Sequence, residues 1–560
     1  MAELSYIFAR MLKSFLLATI SGLFLAASWP TYGFPALLFI AFIPLLIIEK
    51  QFTDAPFQKK SLRIFLLSWW AFLLWNALSY NWLSQARPQM DATSMEIQQA
   101  WIAYLFPVIL NSLFMAIVFI TYHFIRKKHG EFYGFIFLPA FWMSFEKLHL
   151  NWDFTWPWLN LGNGFASYYK WVQWYDLTGS FGGTLWVWVA NLLLFKAILI
   201  YLEHGNRRQL KKYFAGFVGI VVIPIIISLL QYNFYEEKGE EIEIALIQPE
   251  LDPYREKYTK SGEDIVEELI ELSESVLTPQ TNFVITPETS FPGRGEVILN
   301  EIQNDSYILK LQSWLQQYPD AVMIAGAELA KISQATQPPN PTSIHYQDNI
   351  YVNRYNSAIQ LENGRNDIPI YHKSKLVVGV EYFPYPHIFK PIFGNLMLDF
   401  GGSTNSLTKT KDRIVFENSK NNARVAPLIC YESVFGEFTT EFMKNGANVI
   451  SVSTNDSWWG NTEGHRQFLD YARLRAIENR RDVVRAANSG ISAFINQRGD
   501  VVQQLGYGKR GSIVGKAHLN NLLTNYSKSG DLIARIALLL SGVLLAYHFV
   551  EKFMNKTNKL

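Results

Sequence analysis

A chain of 560 residues with a net charge of +2 and a single cysteine excludes several classes at once. The length exceeds one ordinary domain, the near-neutral balance gives nucleic acid little to hold, and one thiol rules out an internal disulfide. The averages of 49% hydrophobic and 18% charged residues hide a split between a strongly apolar stretch, 14–232, and an ordinarily charged one, 233–525.

A bilayer core takes about 20 apolar helical residues. Spans are predicted near 12–29, 34–49, 62–80, 101–124, 131–147, 182–203 and 213–232, with a last one near 531–550. The first resembles a signal peptide in length, but no small-residue cleavage site follows it, so a retained helix is expected. Arg535 sits near one end of the last span, where a long side chain snorkels. Trp156, Trp158, Trp171 and Trp174 read as an interfacial belt.

The loop charges alternate. Arg10 and Lys13, then Lys50, Lys59, Lys60 and Arg63, then Arg126, Lys127 and Lys128, then Arg207, Arg208, Lys211 and Lys212 fall on one side, joined by the lysines of the C-terminus. The positive-inside rule puts both termini in the cytoplasm and 233–530 on the opposite, periplasmic face.

From Glu241 onward the periodicity changes. "IEIALIQPE", "NFVITPE", "AVMIAGAE", "NSAIQLENG", "RVAPLIC" and "NVISVSTND" read as strands. "GEDIVEELIELSESVL", "SYILKLQSWLQQY", "GEFTTEFMKNGA" and "HRQFLDYARLRAIENRR" read as helices, and "ISAFINQRGDVVQQL" as a hairpin. Alternating strands and helices give an α/β domain. Ligands of such sheets sit beyond strand ends, and Glu288 and Cys430 both stand there.

Three stretches carry chemistry: "VITPETSFPG" with Glu288, "YHKSKLVVGVEYFP" with Lys373, Lys375 and Glu381, and "PLICYES" with Cys430, Tyr431 and Glu432. A thiol attacks as thiolate and needs a base or a nearby cation. A glutamate can take its proton, and a lysine ammonium can stabilise an oxyanion. Glu, Lys and Cys together make a complete acyl-transfer set. No metal-ligand spacing and no phosphate-binding glycine loop is visible.

In this order the three stretches resemble the nitrilase (carbon–nitrogen hydrolase) superfamily with its Glu-Lys-Cys triad. With "TWPWLNLGN" and "TGSFGGTLWVWVAN" before them and "STNDSWWG" and "RAANSGISA" after, the whole chain resembles the membrane-bound branch that N-acylates bacterial lipoproteins. The resemblance implies an αββα sandwich on a membrane α-helical bundle of about eight spans. The expected division is 1–232 transmembrane, 233–525 periplasmic carbon–nitrogen hydrolase domain, and 526–560 a terminal span with a cytoplasmic tail.

Carried over by position, the resemblance makes Glu288 the general base, Lys373 the oxyanion stabiliser and Cys430 the nucleophile. Glu381 matches a second glutamate near the thiol. Tyr431 and Glu432 match the residues after the cysteine, Glu432 helping to hold the amine-bearing group. Lys375 stays open as the alternative lysine. The family's usual tryptophan after the first strand is missing from "QPELDPYREKY", which offers only Tyr254 and Tyr258.

The implied reaction moves an acyl chain from a phospholipid, phosphatidylethanolamine by resemblance, through a thioacyl enzyme to the α-amine of a diacylglyceryl-prolipoprotein. The alternative is a membrane-anchored amidase that hydrolyses a carbon–nitrogen bond. No cofactor or metal, a monomer, and a bacterial inner-membrane location are expected. Asn455, Asp456, Trp458 and Trp459 are candidate pocket residues, and His465 reads as structural. The apolar, proline-broken run Tyr382–Gly402 reads as an arm reaching toward the bilayer.

Overall fold

The computed structural model describes residues 2–54, 59–257, 259–293, 295–385 and 406–557. The proposed arm Tyr382–Gly402 therefore lies outside the described residues from 386 onward. The chain divides into two compact units, one of Met1–Asn81, Tyr104–Phe234 and Ser529–Leu560, the other of Trp82–Ala103 and Tyr235–Lys528.

Among the described residues, seven helices are long and apolar enough to cross a membrane: Ala9–Ala27, Pro35–Asp54, Lys60–Ser79, Ser94–His129, Ser180–Leu202, Arg207–Phe234 and Leu532–Lys552. The span expected at 131–147 is a helix, Glu131–His149, but the polar residues at its end, Glu146, Lys147 and His149, lower its hydropathy and leave it outside that set. Helix Arg207–Phe234 buries only Ser228 while Ile223, Ile226, Ile227 and Leu230 are exposed. An apolar surface on that scale calls for an apolar solvent.

The first unit packs around aromatic rings. Phe42 lies 4.2 Å from Trp188 and 5.4 Å from Trp142, ring centre to ring centre. Trp158 is buried as well, which takes it out of the expected interfacial belt. Gly162 is required by a close crossing: a Cβ there would collide with the Ser180 carbonyl. The buried Glu146 carboxylate ties this crossing together, accepting from Trp142 Nε1 at 3.0 Å, Leu161 N at 2.9 Å and Thr184 Oγ1 at 2.8 Å.

The second unit holds two sheets. In the first, β1 (Glu240–Gln248), β2 (Thr281–Ile285) and β4 (Val322–Gln334) are parallel neighbours. β6 (Ile350–Glu362) runs antiparallel to β4 along its whole length, β3 (Val297–Ile298) pairs with β4, and β5 (Ile344–Gln347) and β7 (Ile370–His372) pair with β6. β14 (Gly511–Leu519) closes the other edge against β1. In the second sheet β9 (Arg424–Ile429), β10 (Val449–Thr454) and β11 (Val483–Ala487) are parallel, flanked by β8 (Phe416–Glu417) on one side and the hairpin of β12 (Ser492–Ile495) and β13 (Val501–Leu505) on the other.

Helices cover the outer faces. Gly262–Glu274 starts on Ser261, whose side chain accepts from Asp264 N, and buries Ile265, Val266, Leu269 and Leu272 against the first sheet. Each such side chain contributes about 1.5–3 kcal/mol on burial. Asp305 caps Ser306–Leu315 by accepting from Tyr307 N and Ile308 N. β10 is buried at every position, as a central parallel strand covered on both faces must be. The inner faces touch: Ser453 Oγ donates to Thr286 O at 2.9 Å and Ser492 Oγ to Gln248 Oε1 at 2.6 Å. The expected αββα sandwich is the fold of this unit.

Candidate active site

β2 ends at Ile285 and the chain turns at once into Thr286, Pro287 and Glu288. The turn presses on β4, where a Cβ on Gly326 would collide with the Pro287 carbonyl. Ser290 N and Oγ both donate to Gly326 O, at 2.9 and 3.0 Å. The missing side chain of one β4 residue thus fixes where Glu288 stands.

β9 delivers Cys430 to the same place from the other sheet. Ile429 pairs with Ser453 in β10, and Ser453 reaches across to Thr286, two residues before Glu288. Cys430 opens a tight 3-10 turn, Cys430–Val434, with φ of +49°. A left-handed cysteine costs about 1–3 kcal/mol and persists only where its surroundings hold it. Here Glu432 does the holding. Its Oε2 accepts from Ile429 N at 2.9 Å, and its Oε1 accepts from Tyr371 Oη at 2.7 Å, Ser374 N at 2.6 Å and Lys375 N at 3.2 Å. Both oxygens of Glu432 are thus taken up by the protein itself.

β7 ends at His372, opposite Ser357, and Lys373 N donates to Asn356 O. Lys373 Nζ then donates to Glu288 Oε1 at 2.7 Å and Glu381 Oε1 at 2.9 Å. Asn356 Nδ2 bridges the same two oxygens at 2.7 and 2.9 Å. Glu381 Oε2 accepts from Val377 N at 2.8 Å. Glu288 Oε2 accepts no hydrogen bond among the described residues. Lys375 instead holds its ammonium 4.9 Å above the Phe435 ring. Tyr431 is buried with its ring edge-on to Phe435 at 5.0 Å.

The charges follow from this packing. Burial pushes the Glu288 carboxyl up, but the ammonium groups of Lys373 and Lys257 and the Asn356 amide outweigh it and hold it below the usual value. Burial alone would lower Lys373, but Glu288 and Glu381 keep it charged, well above the ordinary lysine. Burial and the Glu288 charge push the Cys430 thiol up, against the pull of Lys373. The resting set is therefore a carboxylate, an ammonium and a neutral thiol. His372 is kept neutral by burial, its pKa lowered to about 4, and adds no competing charge.

Two contributors are not visible in the sequence reading. Asn356 lies in β6, where its amide bridges both carboxylates. Lys257, in the turn after β1, is buried, donates to the Thr289 hydroxyl and lies 4.0 Å from Glu328 Oε1. "REKY" offers a lysine but nothing that announces its burial. In the same turn Tyr254 packs edge-on to Trp458 at 5.3 Å and donates to its carbonyl at 2.6 Å, while Tyr258 lies outside the described residues. Asp456 is paired with Arg485 at 2.5 Å, Trp459 stacks on Phe468 at 5.5 Å, and His465 is buried against Tyr507.

Residues 243–524 match the family model of carbon–nitrogen hydrolases, and residues 21–193 that of the apolipoprotein N-acyltransferase N-terminal domain. The chain is 27% identical to the apolipoprotein N-acyltransferase of Chlorobaculum tepidum over 96% of its own length and 97% of the relative's. It is 26% identical to apolipoprotein N-acyltransferase 1 of Treponema denticola over 97% of each chain. Among solved structures, a nitrilase-superfamily protein of Saccharomyces cerevisiae aligns with 50% of this chain and 93% of its own at 14% identity, with a TM-score of 0.36.

Proposed function

The chain belongs to the carbon–nitrogen hydrolase family, and from that premise we propose that it transfers a fatty acyl chain from a membrane phospholipid to the N-terminal amine of a lipoprotein. The observation that carries the reading is the buried Glu288–Lys373–Glu381 cluster at the sheet ends that also present Cys430. The near full-length similarity to apolipoprotein N-acyltransferases supports the substrate class, and the apolar helices support a lipid donor.

Glu288 Oε2 takes the Cys430 proton as the sulfur attacks the donor ester. The oxyanion of the tetrahedral adduct is stabilised by the Lys373 ammonium. The adduct collapses, the carbon–oxygen bond breaks, and the leaving lysophospholipid oxygen takes the proton back from Glu288. The lipoprotein amine then attacks the thioester, Glu288 accepts its proton, and the thiol is released as the amide forms. Glu381 shares Lys373 and fixes it between two carboxylates. Glu432 positions the nucleophile by holding its turn. Phosphatidylethanolamine is the donor proposed, a diacylglyceryl-prolipoprotein the acceptor, and a monomer in the bacterial inner membrane the working form. The site faces the periplasm and both termini the cytoplasm, a placement the basic loops support.

Mass spectrometry of the purified protein mixed with phospholipid should find an acyl adduct on Cys430. Adding a diacylglyceryl peptide should discharge it as N-acyl peptide. Release of free fatty acid without amide would give the reaction to the amidase reading, and the lack of any adduct would overturn the mechanism.

A further inference from the structure

Away from the strand ends that carry Cys430, the second unit gathers a second cluster of donor atoms. Glu237 lies in the segment leading into β1, Asp482 immediately precedes β11, and His518 is in β14, opposite Glu241 of β1. One donor atom from each falls within 4.8 Å of the others. They line an open cleft of about 380 Å³ that also reaches Asn496 and Lys516. The sequence shows no metal-ligand spacing, and these three residues come from separate stretches. Strand pairing brings them together.

The three side chains stand within reach of a single ion. Without an ion, His518 Nδ1 is hydrogen-bonded to Asp482 Oδ2 at 3.0 Å, and it lies 3.5 Å from Glu237 Oε2, the spacing of a coordination edge. Bonds of 2.0–2.2 Å at a tetrahedral metal place neighbouring ligand atoms roughly 3.3–3.5 Å apart. The other ring nitrogen, Nε2, faces Glu241 Oε1 at 3.5 Å, the outer carboxylate that a metal-bound histidine usually has. The backbone N–H of His518 donates to Asp482 Oδ2 at 2.7 Å, holding the carboxylate in place.

A further observation points to a missing partner. Asp482 is 4% exposed, and its Oδ1 is buried with no hydrogen-bond partner among the described residues. A buried acceptor left so is unfavourable until it gains a partner. The neighbouring cations are already engaged: Lys516 Nζ donates to Glu241 Oε2 at 2.6 Å, and Arg498 Nε is 3.5 Å from Glu237 Oε1 and 3.4 Å from Asp500 Oδ2. Glu237, Asp482, Glu241 and Asp500 against Arg498 and Lys516 leave a surplus of negative charge.

We propose that this cleft is a site for one divalent cation of the zinc type, held by His518 Nδ1 and by carboxylate oxygens of Asp482 and Glu237, with water completing the shell. Imidazole with two carboxylates is a donor set that suits such an ion. Binding displaces any proton on Nδ1 to solvent and leaves the Nε2 proton toward Glu241. The role is structural. The ion clamps the entry segment of the unit onto β11 and β14, a segment that Gln497 already fixes by accepting from Tyr235 Oη and Lys238 N and donating to Lys238 O.

The test uses the full-length, untagged protein in detergent, stripped with a chelator and then titrated with Zn²⁺ or Co²⁺. The wild type should take up a single equivalent of Zn²⁺, gain thermal stability, and show the visible absorption of tetrahedral Co²⁺. Glu237→Gln, a change at a half-buried residue that leaves the strands intact, should weaken Zn²⁺ by more than the roughly 10–100-fold that loss of an outer partner costs. His518→Gln should do the same, and Cys430→Ser should bind like the wild type. Equal uptake by wild type and Glu237→Gln, or loss of uptake in Cys430→Ser, would overturn the site and leave the three residues as a proton-bridged ion cluster.

Discussion

Each unit of this chain buries a glutamate, and the two carboxylates have opposite surroundings. Glu146 in the helical unit meets three neutral donors, an indole, a peptide N–H and a hydroxyl, spread over both oxygens. Glu288 in the sandwich meets the Lys373 ammonium and an amide, both on Oε1, with Oε2 left over. Neutral donors on every side make a staple between segments. A cation on one oxygen and nothing on the other makes a carboxylate that is charged at rest and has a place for a proton. Burial alone distinguishes neither; the donor set does.

The largest effects should fall on the sandwich. Cys430→Ala should abolish the acyl adduct while the protein still purifies as a folded membrane protein, and near-normal turnover would break the assignment. Glu288→Gln should slow formation of the adduct by about 10²–10⁴-fold, since the amide cannot accept a proton. Lys373→Met should cost about 10²–10³-fold and also lower stability, because it removes the ammonium that bridges Glu288 and Glu381. Single-turnover acylation measures both, and if Lys375→Met had the larger effect the lysine assignment would fall.

Glu146→Ala should reverse the pattern. Three donors lose their acceptor at about 1–3 kcal/mol each where they stay dry, so thermal unfolding should come several degrees earlier while adduct formation per folded molecule changes little. A selective loss of rate in this variant would erase the distinction between the two carboxylates.

The smallest effect is on pH dependence. Glu288 is held below the ordinary carboxylate pKa, so its base form, and the stability its ion pairs contribute, is fully present above the unfolded value. Both are lost only as pH falls through the depressed folded one. Lys257→Met removes one of the cations responsible. The acid limb of the acylation rate should move to higher pH, with the plateau rate less affected, and an unmoved limb would take Lys257 out of the site.

Much of this was legible in the sequence. Glu288 and Cys430 each follow an apolar run that reads as a buried strand, and Lys373, spaced from Glu381, falls in the second stretch. What sequence could not supply was distance across the sandwich. β14, "GSIVGKAHL", shows no alternation because it is half-exposed along most of its length, so an edge strand was missed. Asn356 looks like any polar residue in a strand until β7 is laid beside it. The resemblance makes Glu432 a holder of the amine-bearing group, yet four donors of its own chain already occupy it.

The thiol described here is 6% exposed and carries its proton at rest. Peroxides and disulfides react with thiolates, and susceptibility follows exposure as well as ionisation. A lone cysteine kept neutral and covered is therefore durable in an oxidising compartment, where an exposed, low-pKa nucleophile would be converted to sulfenic acid between turnovers. On the proposed mechanism, the burial that makes Cys430 depend on Glu288 for its reactivity also keeps it chemically quiet until an ester arrives.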